Sequence, residues 1–124
     1  MSTRRAFVAA VLVLGSLTWV HAQDISGRWV AKFTTQVGDQ EYTYDFVVKG
    51  TQLTGTIKGS LLGESPVADG KVDGKTITFV ENGSYMEMPL RIVYTGTIVS
   101  GTEIKFSRNV ADFATEELVA TRAK

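Results

Sequence analysis

The chain has 124 residues, carries 13 Lys and Arg against 13 Asp and Glu, and contains no cysteine and a single histidine. This length fits one domain, and the balanced charge argues against nucleic acid as a partner, since a phosphate backbone needs a clustered basic surface. The histidine, His21, lies in a predicted leader, so the mature chain would lack the usual zinc ligands, a Cys nucleophile and a Ser-His-Asp triad. The sequence therefore predicts no cofactor and no metal site, and it weighs against an enzyme without deciding the question.

Residues 1–22 have the features of a signal peptide. Arg4 and Arg5 supply the positive start, residues 6–17 form an apolar run, and Val20-His21-Ala22 is a small-x-small cleavage site. A helix needs about 20 apolar residues to span a bilayer, and this apolar run is shorter. No stable membrane span should therefore remain after cleavage. We expect a periplasmic or secreted mature chain of residues 23–124, with 11 basic against 13 acidic residues and a net charge of −2. The general secretory route and the twin-arginine route both fit this leader.

Period-two alternation predicts strands along the whole mature chain. Asp24–Phe33 contains the first strand, with Trp29, Ala31 and Phe33 on one face. The next predicted segments are a turn at 34–40, a strand at 41–49, a tight turn at 50–51, a strand at 52–58 and a loop at 59–66.

The second half of the chain contains further predicted hairpins. Asp73-Gly74, between strands at 67–72 and 75–81, favours a tight turn with positive φ at both central residues. Asn82-Gly83 predicts the following turn. The alternating run that starts at Met86 is so long that we expect a bend or bulge near Pro89 or Gly96. The remaining predicted segments are a turn at 100–101, a strand at 102–108, an irregular stretch at 109–116 and a closing strand at 117–122.

These segments predict an all-β fold, because no part of the mature chain has sustained helical periodicity. About eight strands at short, regular spacing indicate an up-and-down antiparallel meander closed into a small barrel. Gly55, Gly70 and Gly96 each fall inside a strand, where glycine is typical of a sharp bend or of close approach to a bulky neighbour.

Gly27-Arg28-Trp29 resembles the Gly-x-Trp opening of the calycin barrels, which include lipocalins and avidins. The resemblance implies that a late basic residue lies over Trp29 and helps to shut the barrel, with Arg122 the first candidate and Arg108 the second. Residues 25–29 and 53–57 are most similar to avidin strands, but no tryptophan follows Trp29, so biotin binding is not expected. The Gly-x-x-Ile-x-Phe hairpins and the ending Ala120-Thr121-Arg122 resemble small exported bacterial proteins of unassigned function.

An eight-stranded barrel is just wide enough to be filled by side chains or to hold one small ligand. The inward-facing bulky side chains fit both alternatives, as a packed core or as the lining of a site for a small hydrophobic or aromatic ligand. These candidates are Trp29, Phe33, Tyr42, Tyr44, Phe46, Phe79, Tyr94 and Phe106.

Three functions remain open from the sequence. The favoured one is an exported, non-enzymatic, lipocalin-like barrel that binds a small ligand or a protein partner. The alternatives are a glycan-directed hydrolase with paired carboxylates and a structural envelope protein with a filled barrel. Met86 and Met88 could form an adaptable binding rim or fill gaps in the core. Phe113 could close an open end, although we expect it to tuck beneath its own loop.

The carboxylates are expected to be solvated at turns and outward positions; they include Asp45, Glu64, Asp69, Glu81, Glu87, Asp112, Glu116 and Glu117. The oligomeric state and the identity of any ligand cannot be read from the sequence.

Overall fold

The computed structural model describes residues 24–124, and the predicted signal peptide lies outside the described residues. The described part contains nine strands, which are β1 (Gly27–Thr35), β2 (Gly38–Lys49), β3 (Gln52–Gly59), β4 (Gly63–Pro66), β5 (Ala68–Asp73), β6 (Thr76–Tyr85), β7 (Met88–Ser100), β8 (Glu103–Val110) and β9 (Ala114–Arg122). Residues 24–124 contain no helix long and apolar enough to cross a membrane.

The strands form one closed antiparallel barrel, which confirms the predicted fold class. Each strand pairs with the next along the chain, except that β4 and β5 do not pair with each other; β3 pairs with β5 instead, and β1 pairs with β9 to close the ring. The short strands β4 and β5 pair with successive parts of β3 and together occupy one position in the ring, so the barrel has eight positions. Closure pairs the backbone groups that an open sheet would leave at its edges.

Two glycines inside strands allow the close contacts that the sequence predicts. Gly55 has a φ of 140°, and a Cβ built there would lie 1.8 Å from the backbone oxygen of Asp45. A Cβ on Gly96 would lie 2.4 Å from a ring carbon of Phe106. Neither position can take a larger residue without movement of the neighbouring strand or ring.

The prediction of a turn at Asn82-Gly83 is wrong. Both residues lie within β6, and the chain turns at Met86 and Glu87, which have φ values of 52° and 67°. The observed register pairs Phe79 with Tyr94, whose rings stack 4.3 Å apart, along a hairpin of ten residue pairs. Packing of the aromatic rings therefore overrides the local preference of Asn-Gly for a turn.

Three other local predictions also need correction. The expected irregular stretch at 109–116 is mostly strand, because β8 continues to Val110 and β9 starts at Ala114. β7 pairs without interruption past Pro89 and Gly96, and its register shift lies between Ile98 and Ser100. The predicted loop at 59–66 contains β4.

The hairpin predicted around Asp73-Gly74 is present, with its turn one residue later than expected. Asp73 pairs with Thr76, so Gly74 and Lys75 are the central residues, and of these two only Gly74 has a positive φ, 62°. This pattern is typical of a type II′ turn, in which glycine occupies the first central position.

The barrel has two ends of different character. We call the end that holds the turns at 36–37, 60–62, 86–87 and 111–113 the mouth, and the opposite end, where both termini of the described chain lie, the base. The base is shut by Trp29, which is fully buried, and Arg122, whose guanidinium lies 4.6 Å from the centroid of the Trp29 ring. Arg122 also donates hydrogen bonds to the backbone oxygens of Asp24, Ser26 and Gly101.

Candidate functional site

The aromatic residues singled out from the sequence lie below the mouth and pack against one another. Seven of the eight are at most 2% exposed, and Phe33 is partly buried. Tyr44 alone has five ring neighbours between 5.5 and 6.1 Å, namely Tyr42, Phe46, Phe79, Tyr94 and Phe106. This part of the interior is a packed core, filled by side chains.

A buried polar cluster lies above this core. Arg108, only 1% exposed, donates from Nε to Glu116 Oε1 at 2.8 Å and places Nη1 3.6 Å from Glu81 Oε1. Its guanidinium also lies 4.9 Å from the centroids of the Phe33 and Tyr42 rings. Arg108 was the second candidate to lie over Trp29, and it does not occupy that position. It carries the positive charge of the cluster.

Tyrosine hydroxyls donate hydrogen bonds to both carboxylate oxygens of Glu81. Tyr42 donates to Oε2 and Tyr94 donates to Oε1, each at 2.9 Å. Because the Tyr94 hydroxyl donates its proton to Glu81, the Tyr94 oxygen acts as the acceptor in its other hydrogen bonds. These come from Arg108 Nη1 and from the Tyr44 hydroxyl, each at 3.0 Å. Burial raises the pKa of the Tyr44 and Tyr94 hydroxyls well above 10, so both remain donors.

The cluster contains more negative than positive groups. Two carboxylates, Glu81 and Glu116, face one guanidinium, that of Arg108. Burial raises the pKa of the Glu81 carboxyl above its ordinary value of 4.5, although hydrogen bonds from Tyr42 and Tyr94 and the charge on Arg108 act in the opposite direction. The hydrogen bonds and the charge on Arg108 therefore offset only part of the desolvation of this carboxylate.

The space between the polar cluster and the mouth is a cavity of about 280 Å³, which we call the cup. Its floor includes Arg108 and Glu116, and its wall includes Gln40. Apolar side chains form most of the remaining wall. They are Val37, Leu61, Leu62, Met88, Leu90, Val110, Phe113 and Ala114. None of the eight aromatic candidates borders the cup.

Gln40 carries an acceptor without a donor in the wall of the cup. The residue is only 4% exposed, and its Nε2 donates to Thr35 Oγ1 at 2.8 Å. Thr35 Oγ1 donates its own proton to the Gly38 oxygen, so it can only accept from Gln40, and this fixes the orientation of the amide. Gln40 Oε1 and Ser65 Oγ are the two buried side-chain polar atoms of residues 24–124 that lack a partner.

An apolar collar surrounds the cup. Phe113 and Met86 are 80% and 81% exposed, and Val37, Leu61 and Met88 are each more than 40% exposed. The expectation that Phe113 tucks beneath its own loop is therefore wrong, and both methionines lie at the rim rather than in the core. Five large apolar side chains around one opening form the kind of exposed patch that marks a binding site.

The expectation that all the carboxylates are solvated is wrong for Glu81, which is fully buried. The sequence carried the signal for the whole cluster. The alternation that places Ile77 and Phe79 inside continues to Glu81, and the same reading leads from Phe106 to Arg108 and from Leu118 to Glu116.

The cup does not present Glu81 and Glu116 as the two facing carboxylates that a glycan-directed hydrolase needs. Glu116 lines the cup, whereas Glu81 lies beneath Arg108 and the tyrosine hydroxyls and does not border it. An acid and a base that cleave a glycosidic bond must face one substrate. Within residues 24–124, no three His, Cys, Asp or Glu side chains form a group that could hold a metal ion.

Comparisons with known proteins gave no match: none was found among protein-family models, among curated proteins or among solved structures.

Proposed function

We propose that this protein is an exported, non-enzymatic β-barrel that binds a small, largely apolar ligand in the cup. The observation that carries the proposal is the cup itself, an open cavity with apolar walls above a polar floor in a barrel whose remaining interior is packed. Ligand sites have this composition, with a few placed polar groups among apolar ones. Export is supported by the leader pattern of residues 1–22.

The size of the cup limits the ligand. A volume of about 280 Å³ lies just below the range of roughly 300–1,000 Å³ that is usual for ligand pockets. It corresponds to the liquid volume of about nine water molecules, at about 30 Å³ each. A single aromatic ring with a short substituent, or a short aliphatic chain, fits this space, whereas a long-chain lipid does not.

The collar gives an apolar ligand a path into the cup. Met86, Met88 and Phe113 expose large apolar side chains at the entrance. Methionine adapts its shape to varied apolar partners. The sequence-based candidates Trp29, Phe46 and Phe106 contribute differently, as part of the packed core that fills the rest of the barrel.

A thermal-shift screen of small aromatic and aliphatic compounds tests this function. A ligand that binds only the folded state at a hundredfold excess over its Kd should stabilise the protein by about 2.7 kcal/mol, which is a rise in Tm of about 10 °C or more for a small domain. Ala114→Phe, which fills the cup, should abolish the rise. Thr115→Phe is the matched control, because Thr115 is the next residue of β9 and is exposed.

The proposal predicts that Thr115→Phe keeps the response of the natural protein. It would be overturned if no compound in the screen raised the Tm, or if the two phenylalanine variants responded alike.

A further inference from the structure

The polar groups at the cup specify what kind of ligand should bind there, provided that the cup is a ligand site as proposed above. Arg108 offers little to an incoming anion, because its side chain is 2% exposed and already bonded to Glu116 and Tyr94. Glu116 is the more accessible charge, with a side chain 17% exposed and one oxygen, Oε1, bonded to Arg108. The cup therefore presents a carboxylate to its contents more openly than it presents a cation.

A second observation at the wall also indicates a donor. Gln40 Oε1 is a buried acceptor that no protein group satisfies, and a buried polar atom without a partner destabilises the folded state. The oxygen is covered in this structure, so a ligand in the cup reaches it only after Gln40 rotates about its terminal torsion, which is broad in glutamine. An N–H or O–H group in the cup would supply the missing hydrogen bond.

The charged residues in the turns around the entrance are acidic, and the buried polar cluster also contains more acidic than basic groups. The four mouth turns contain Glu87 and Asp112 and no lysine or arginine. Beneath the cup, two carboxylates face one guanidinium. Acidic residues at an entrance raise the local concentration of cationic ligands there.

We propose that the cup selects a small amine, protonated at neutral pH, whose ammonium group bonds to Glu116 and Gln40 and whose apolar part lies against Met88 and Leu90. The ammonium group supplies three donors, which suit a carboxylate and an amide oxygen at once. It also provides the positive charge that the buried cluster lacks. The apolar part replaces water along the aliphatic wall and beneath Phe113.

Calorimetric titration with three probes that share a phenyl ring and a short chain tests this inference. The probes are 2-phenylethylamine, 2-phenylethanol and 3-phenylpropanoate, which carry a cation, a neutral donor and an anion. We expect the amine to bind about tenfold or more tightly than the alcohol, since hydrogen bonds with an ionised partner are roughly twice as strong as neutral ones. The anion should bind most weakly.

Variants assign the preference to named groups. Glu116→Gln should weaken amine binding by about tenfold and change alcohol binding by less than about twofold, because it removes the charge and keeps an acceptor. Glu117→Gln is the matched control, because this neighbouring residue is exposed and should leave all three affinities unchanged. Gln40→Met, which keeps the side-chain length and leaves Arg108 paired, should also weaken the amine and guards against a fold defect in Glu116→Gln.

The outcomes separate this inference from the proposed function. Alcohol or anion binding as tight as amine binding would show that the cup binds ligands but would overturn the preference for an amine. Binding of none of the three probes would count against the proposed function as well. Loss of amine affinity in Glu117→Gln, with Glu116→Gln unaffected, would also overturn the inference.

Discussion

Substitution of Arg108 by Met is the sharpest test of the buried polar cluster. The change removes the guanidinium but retains most of the aliphatic length that packs near Phe33 and Tyr42. It leaves the Glu81 carboxylate, whose side chain is 1% exposed, without its only positive neighbour in the cluster. We therefore expect a loss of folding stability that far exceeds the loss of packing.

The magnitude follows from the geometry of the pair. At the 3.6 Å that separates Arg108 Nη1 from Glu81 Oε1, the Coulomb attraction is about 4–5 kcal/mol for an effective dielectric constant of about 20. Removal of one partner from a buried ion pair typically costs about 3–5 kcal/mol. Since small domains have a total stability of about 5–15 kcal/mol, Arg108→Met should be marginally folded at pH 7.

Urea unfolding at pH 7, followed by circular dichroism, measures this loss. The double variant Arg108→Met/Glu81→Gln should recover about 2 kcal/mol, because the stranded charge is gone. Arg28→Met is the control, since the ion pair between Arg28 and Asp45 is shorter, at 2.8 Å, but the two side chains are 60% and 42% exposed. This exposed pair should contribute less than about 1 kcal/mol.

Two results would refute the reasoning. The first is a loss of less than about 1 kcal/mol in Arg108→Met, which would show that Glu81 does not depend on the guanidinium. The second is a double variant no more stable than Arg108→Met, which would place the cost in packing rather than in charge.

Three further predictions concern pH, the base and the leader. The folded protein holds the Glu81 proton more tightly than the unfolded chain does, because burial raises the pKa of this carboxyl. The stability of the natural protein relative to Glu81→Gln should therefore fall as pH rises from about 4.5 through the raised pKa. Urea unfolding of both proteins across this range measures the difference in stability, and a difference that does not change with pH would contradict the prediction. Arg122→Ala should lower the free energy of unfolding by about 1–2 kcal/mol, through loss of its contact with Trp29 and its backbone hydrogen bonds, and an unchanged urea midpoint would rule that out. Mass spectrometry of the exported protein should find Gln23 at the N-terminus, whereas retention of Met1 would reject the leader assignment.

The architecture was predictable because closure and alternation are dictated by the distribution of apolar residues along the chain. Trp29, Tyr44 and Phe79 fell on inward positions without any knowledge of strand pairing, and all three are buried. The turn at Met86 and Glu87 was not predictable, since its positive φ angles contradict local preference and follow from the register that joins β6 to β7.

The candidate site was less predictable, for a different physical reason. The alternation of β6 and β8 continues inward to Glu81 and Arg108, whereas the rule that charged side chains face water predicts the opposite. That rule fails where opposite charges and hydroxyls satisfy one another, as they do around Arg108. The cup could not be foreseen at all, because an unfilled volume depends on how turns from four separate hairpins meet at the mouth.

The barrel interior is divided into an open cup and a packed aromatic core below it. Methyl NMR spectroscopy during titration with 2-phenylethylamine tests this division directly. We expect chemical-shift changes at Leu62, Leu90 and Val110, which border the cup, and none at Ile77 or Ile104, which are fully buried near the base. Changes centred on Ile77 and Ile104, or no change at Leu90 at saturation, would contradict it.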